Sequence, residues 1–331
     1  MLITDNKEIS WIFRTASAPE VGGGHVMRCI SIGRELNKYQ TVHFLLCKGG
    51  DSWIDYIKYY GMTASIYKSP IEVRNKNILV DGYNFSKSEI QAWSEQCKNM
   101  AFIDDCNMAP RSASLVISTR TGDLKSNKKE QKVFLSGPKY ALLAPEYIGK
   151  HPVKSRTIVR NILVSCGLQD SNNYVSKILS ALSESNFDGN VNVAIGSQAP
   201  NLQKLLHSVN NYHFSVSVTL DSNGLYDLLM QSDMVIGTGG VSLLERMAIG
   251  RPSVTIIAAE NQRNQAEWSE KVGATVLVDP IKQQFQHDLR GAIDLLLKSE
   301  EKRLEMSVNG SSFIDGRGSE RVARCMSLGK C

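Results

Sequence analysis

Short apolar runs alternate with amphipathic segments along most of the chain, the pattern of strands buried on both faces and of helices that cover them. The first run, 9–13, ends at Arg14 and leads into Gly22-Gly23-Gly24-His25, after which 27–36 carries helical periodicity. Runs rich in β-branched and aromatic residues at 41–47, 63–67, 78–80, 100–103 and 115–118 predict further strands. Between them, 51–60 predicts a helix with an aromatic stripe facing the core. A second helix is predicted over 86–96, opened by Ser86 with Glu89 three residues on. Segment 121–132 is polar and predicts a loop, 136–146 is compact and mixed, and the basic stretch 151–157 with Pro152 predicts a linker.

A second alternating set then begins. Strands are predicted at 161–165, 191–195, 213–218, 234–236, 252–257 and 274–278. Helices are predicted at 172–184, 201–208, 225–231, 242–249 and 262–272, with mostly helical sequence beyond. This order predicts two α/β domains, each with a parallel, doubly wound sheet, over 1–150 and 151–331. A chain of 331 residues accommodates two such cores.

Composition narrows the function classes without choosing among them. The 42% hydrophobic and 21% charged fractions are those of an ordinary globular protein. A net charge of +5 with no polybasic run argues against nucleic acid and mildly favours an anionic small molecule. No apolar run reaches the roughly 18 residues of a membrane span, and 1–10 has no signal-peptide core, so a cytoplasmic location without membrane insertion is expected. The seven cysteines lack CxxC spacing and predict reduced thiols. His43, His151, His207, His213 and His287 have no neighbours at ligand spacing and read as structural.

Two strand–glycine–helix junctions carry the candidate chemistry. In the first, His25 follows three glycines at a helix start, a place for proton transfer near neutral pH or for a plain surface histidine in a tight turn. Ligands of doubly wound sheets lie beyond the carboxyl ends of the strands, so Asp81, Tyr83 and Asp104-Asp105 are predicted to share a face with His25. Asp104-Asp105 is a candidate metal pair or a helix cap, and no third ligand is evident. In the second junction, Gly237-Thr238-Gly239-Gly240-Val241-Ser242 offers free amides at a helix start, suited to a phosphate or diphosphate. Glu245, one turn on, either accepts from a ribose diol or complements the helix dipole. Asn261 and Gln262 open the next helix, and Arg14, Arg28 and Arg246 are candidate anion contacts. Neither junction matches GxGxxG or a P-loop ending, no GxSxG is present, and no carboxylate pair is placed for glycoside hydrolysis.

Taken together these stretches resemble the PseG family, the UDP-2,4-diacetamido-2,4,6-trideoxy-β-L-altropyranose hydrolases of pseudaminic acid biosynthesis, related in fold to the MurG-type glycosyltransferases. The resemblance runs through Phe13-Arg14, Gly22-x-Gly24-His25-Val26-Met27-Arg28-Cys29, Val80-Asp81-x-Tyr83, Ile103-Asp104-Asp105 and Gly137-x-x-Tyr140-Ala141-Leu142-Leu143. It continues in Gly237-x-Gly239-Gly240-x-Ser242-x-x-Glu245-Arg246, Gly250-x-Pro252 and Ala259-x-Asn261-Gln262. It implies a GT-B fold, two Rossmann-like domains facing across a cleft, with the last helix, around 319–328, crossing back to the first domain. It implies His25 as the base that activates water, with Tyr83 and Asn261 near the reacting centre. Arg14, Gly22, Gly24, Arg28, Asp81 and Gln262 would line the substrate. UDP would lie on Gly167, Gly237, Gly239, Gly240, Val241, Ser242 and Glu245, and neither cofactor nor metal would be needed. A monomer acting on a UDP-sugar is the expected form.

Five positions depart from the family pattern. Ala16 stands where Asp is usual, Leu168-Gln169 interrupt a Gly-Gly-Ser-Asp turn, Leu244 replaces Trp, and Glu260 replaces Asp. These bear on the sugar more than on the reaction. Two other readings stay open: a GT-B glycosyltransferase that passes the sugar to an acceptor other than water, and a sugar-nucleotide-binding protein with weak catalysis.

Overall fold

The computed structural model describes residues 10–18, 23–105, 108–118, 133–149, 157–222 and 224–328. The predicted loop over 121–132 and most of the predicted linker lie outside these residues. The chain divides into two compact units: Met1–Pro145 with Arg317–Cys331, and Glu146–Gly316.

The first unit contains β1 (Trp11–Thr15), α1 (Gly24–Leu36), β2 (Val42–Leu46), α2 (Trp53–Tyr59), β3 (Thr63–Ile66), β4 (Asn77–Asp81), α3 (Lys87–Gln96), β5 (Asn99–Ile103), β6 (Leu115–Ser118) and β7 (Val133–Ser136). Among the described residues these strands form one seven-stranded sheet in the order β3-β2-β1-β4-β5-β6-β7, every pairing parallel. The order reverses between β1 and β4, whose ends meet at Thr15 opposite Asp81. Alternate residues of β1 enter two cores. Trp11 and Phe13 join the layer of α1, while Ile12 faces the layer built by Phe85, Ile90 and Trp93. Strand β7 has no counterpart in the sequence reading, because its apolar run, Val133-Phe134-Leu135, is short and follows a polar stretch; at the sheet edge Val133 and Phe134 stay exposed.

The second unit contains β8 (Asn161–Ser165), α4 (Tyr174–Ser183), β9 (Asn190–Ile195), α5 (Leu202–Ser208), β10 (Ser215–Leu220), α6 (Tyr226–Gln231), β11 (Met234–Thr238), α7 (Val241–Ala248), β12 (Ser253–Ile256), α8 (Glu260–Lys271), β13 (Val276–Val278), α9 (Phe285–Lys298) and α10 (Glu300–Phe313). Its parallel sheet runs β10-β9-β8-β11-β12-β13, reversing between β8 and β11. Each reversal leaves a crevice beyond the strand ends, because the two flanking connections depart to opposite sides.

The final helix, α11 (Gly318–Leu328), packs along α1 of the first unit. Val322, Ala323, Cys325 and Met326 enter the same core as Val26, Cys29 and Ile30. Gly318 permits this, since a Cβ there would collide with the Ala141 carbonyl oxygen. Ser319 Oγ donates to the Leu143 carbonyl at 2.8 Å. Four described cysteines, Cys29, Cys47, Cys97 and Cys166, are free thiols. Cys325 is disulfide-bonded, which corrects the expectation of reduced thiols throughout.

Candidate functional site

At the switch point of the first sheet, α1 starts at Gly24, three residues before the periodicity places it. His25 therefore lies in the first helical turn, and Arg28 follows it on the same face. Both side chains converge on Asp81, the fully buried last residue of β4. His25 Nδ1 lies 2.7 Å from Asp81 Oδ1, while Arg28 donates to the same carboxylate through Nε at 2.6 Å and Nη2 at 2.5 Å. Arg28 Nη1 donates to Asp105 Oδ2 at 2.5 Å, and the Tyr83 hydroxyl donates to that oxygen at 3.2 Å. The Tyr83 ring stands edge-on to His25 with centroids 4.6 Å apart. Five side chains from one helix and two strand ends thus form one network, buried apart from the half-buried Tyr83.

The electrostatics of this network fix the histidine's role. Burial pushes the Asp81 carboxyl up, but the charges and hydrogen bonds of Arg28 and His25 outweigh it and hold the group down at about 2. Asp81 is thus an ionised acceptor at 2.7 Å, closer to Nδ1 than the Arg28 Nη2 donor at 3.2 Å, so His25 Nδ1 carries the proton and donates it to Asp81. In the neutral ring the lone pair is then on Nε2, which makes no hydrogen bond among the described residues. Above the helix start the space is open, since a Cβ at Gly24 would meet nothing within 4 Å. Gly22 lies outside the described residues.

The sequence candidates divide on inspection. Asp81, expected against the substrate, instead spends its oxygens on His25 and Arg28, and Arg28 in turn is spent on Asp81 and Asp105. Asp104 accepts from the Met108 and Ala109 amides at 2.8 and 2.7 Å, so it holds a loop and does not pair with Asp105. Arg14 faces the other core, its guanidinium 4.4, 4.6 and 5.3 Å from the ring centres of Tyr67, Phe85 and Trp93. Its Nη1 donates to the Leu45 carbonyl and Cys47 Sγ, its Nε is buried without a partner, and among the described residues no carboxylate forms an ion pair with it. None of these partners lies within helical or strand spacing of Arg14, so no local signal announces the cage.

At the switch point of the second sheet the loop after β11 opens α7. Gly240 has a φ of +84°, the left-handed region, and turns the chain so that the Val241 and Ser242 amides lie at the helix start without intrahelical acceptors. Gly239 is pressed by Gln262, whose Cβ would lie 3.2 Å from a Cβ there. Gln262 Oε1 is buried without a partner beside this loop. Gly237 has a different reason to be glycine: a Cβ would strike the Ser165 carbonyl oxygen of the neighbouring strand β8, so strand packing is enough to require it. Gly167, beyond the neighbouring β8, has a φ of +84° and open space above it. Asp170 caps α4 by accepting from the Tyr174 and Val175 amides.

Glu245 is half-buried one turn into α7. Loss of hydration pushes its carboxyl up to about 7, opposed by the nearby Tyr147 hydroxyl and the Arg246 charge. Asn261 is exposed in the first turn of α8. Arg246, read from sequence as a candidate anion contact, is 1% exposed and donates to the Thr238 carbonyl and to Thr255 Oγ1. It reaches no surface anion. Among the described residues no group of three histidine, cysteine or acidic side chains is placed to hold a metal ion, and no helix is long and apolar enough to cross a membrane.

Residues 161–320 match the family model of the Glycosyltransferase family 28 C-terminal domain. An uncharacterised protein of Methanocaldococcus jannaschii is 25% identical over 292 residues, covering 82% of this chain and 60% of its own length. The spore coat polysaccharide biosynthesis protein SpsG of Bacillus subtilis is 25% identical over 213 residues, covering 62% of each. The chain thus spans about three fifths of the length of these curated relatives. Among solved structures, MurG of Acinetobacter baumannii is similar with a TM-score of 0.68 at 13% identity, over 95% of this chain and 98% of that one. The UDP co-structure of MnaA from S. aureus has a TM-score of 0.68 at 12% identity, over 97% and 96%. The fold is therefore GT-B, built of two Rossmann-like units.

Proposed function

We propose that this protein is a UDP-sugar hydrolase that removes UDP from a UDP-2,4-diacetamido-2,4,6-trideoxyhexose, in the biosynthesis of pseudaminic acid or a related nonulosonic acid. The observation that carries the reading is the buried carboxylate that locks His25 with Nε2 available at the switch point of the first sheet. In the reaction, Nε2 takes a proton from water as the water oxygen bonds to the anomeric carbon. The bond from that carbon to the diphosphate oxygen breaks, its electron pair leaves with UDP, and the configuration inverts. Asp81 stabilises the imidazolium that forms, a general-base contribution of roughly 10²–10⁴-fold.

The second unit supplies the seat for the leaving group. The Gly240, Val241 and Ser242 amides and the α7 dipole stabilise the developing charge on UDP, and Glu245 accepts from the ribose. Tyr83 and Asn261 are assigned to the sugar. The UDP found with MnaA and the polysaccharide role in SpsG's name both support a sugar nucleotide as substrate. The family 28 match and the likeness to MurG favour a second reading, transfer of the sugar to an acceptor other than water.

One assay separates them: UDP release from UDP-2,4-diacetamido-sugars, with and without EDTA. Release without acceptor, surviving EDTA and abolished in His25→Ala, supports the hydrolase. Release that requires an added acceptor overturns it in favour of transfer, and UDP binding without turnover of any such sugar overturns both.

A further inference from the structure

Arg246 is buried, and among the described residues it forms no ion pair. Its guanidinium is 1% exposed, and only Nη2 is used, donating to the Thr238 carbonyl at 3.0 Å and to Thr255 Oγ1 at 3.1 Å. Nε and Nη1 are buried without an acceptor. No carboxylate of the described residues forms an ion pair with it. The titratable neighbours that bear on it are Cys166, whose thiol burial keeps protonated, and Glu245, whose carboxyl is itself pushed up to about 7. Burial without a matching anion pulls the guanidinium down to about 10. A buried cation left in this state is costly unless something supplies the opposite charge.

Its position says what that is. Thr238, which Arg246 holds, immediately precedes Gly239 and Gly240 at the start of α7, and Nη1 would lie 2.8 Å from a Cβ on Gly237. The cation therefore sits directly behind the loop, where the surroundings weaken its field far less than water would. We propose that Arg246 is a positioning residue that holds the Thr238–Gly240 loop and supplies the missing counter-charge for a diphosphate seated at the start of α7, without touching it. The inference deepens the nucleotide reading and rests on it for the identity of the ligand.

The test compares UDP, uridine and inorganic pyrophosphate by calorimetric titration against the wild-type chain, Arg246→Met and Arg246→Lys, each checked by circular dichroism. Arg246→Met is expected to lose on the order of 10- to 100-fold in affinity for UDP and pyrophosphate. Its uridine affinity should stay within about threefold, and Arg246→Lys should keep the preference of UDP over uridine. Equal losses for UDP and uridine in Arg246→Met would indicate simple disruption of the loop and overturn the proposal. So would unchanged UDP binding in that variant. Should Arg246→Met fail to fold, Arg246→Lys decides: selective loss of UDP with the charge retained overturns it. Wild-type binding of pyrophosphate but not of UDP would remove the nucleotide reading and leave Arg246 to be judged on pyrophosphate. Binding of neither overturns both.

Discussion

Replacing Asp81 by Asn changes one atom at the centre of the first unit's network and separates its chemistry from its packing. In the native protein the carboxylate receives the His25 contact at 2.7 Å and two Arg28 donors at 2.6 and 2.5 Å. An amide keeps one acceptor and turns a donor toward either Arg28 or His25. If it faces the ring, the wrong imidazole nitrogen carries the proton, and turnover should fall on the order of 10³- to 10⁴-fold. If it faces Arg28, a buried guanidinium loses half its compensation, a loss of roughly 3–5 kcal/mol by analogy with broken buried pairs. The pH dependence supplies an independent figure. Asp81 titrates near 2 in the fold against 3.8 for the free group. Its contribution, about 2–3 kcal/mol, is present above pH 4 and is lost as pH falls through the folded value. Urea unfolding at several pH values, alongside UDP release at pH 7, measures both. Asp81→Asn turnover within threefold of wild type, with an unchanged unfolding midpoint, would refute the assignment of Asp81 as the group that sets His25.

Three further outcomes are expected. Arg14→Met should leave the KM for the UDP-sugar unchanged, because Arg14 is enclosed by Tyr67, Phe85 and Trp93. Its unfolding free energy should move by no more than about 1–2 kcal/mol in either direction, since no paired anion is orphaned. Gly240→Ala should lower stability by about 1 kcal/mol through its φ of +84° and weaken UDP more than tenfold, read by urea melts and titration. Glu245 has a folded value raised to about 7, so its favourable contribution is complete below the free value of 4.5 and is lost as pH rises through 7. Glu245→Gln should flatten that slope and add about 1–2 kcal/mol at pH 8 relative to wild type, while weakening uridine.

The fold class is legible in the chain because strands buried on both faces leave continuous apolar runs such as 78–80 and 234–236, and glycines mark the junctions after β1 and β11. The rule that ligands gather at strand carboxyl ends brought His25, Asp81, Tyr83 and Asp105 to one face, and the structure joins these four through Arg28. Which acid does what was not legible. Asp104 and Asp105 are adjacent and chemically alike, yet one accepts from the Met108 and Ala109 amides and the other from the Arg28 guanidinium, a difference that residue type does not carry. Arg14 and Arg246 also escaped, for a common reason. Their partners are carbonyls and rings on other elements, and backbone carbonyls leave no trace in residue type. The edge strand β7 was missed because its apolar run, Val133-Phe134-Leu135, is short and follows directly on a polar, charged stretch.

The first unit is assembled from both ends of the chain, and that arrangement orders its birth. During synthesis the segment bearing His25 is made early, yet the face of α1 that receives Val322, Ala323 and Met326 stays bare until residues 318–328 have been made. The second unit, continuous in sequence, has no such wait. The nascent chain therefore completes the sheet and the α7 helix start of the second unit before it completes the core that holds α1 and His25.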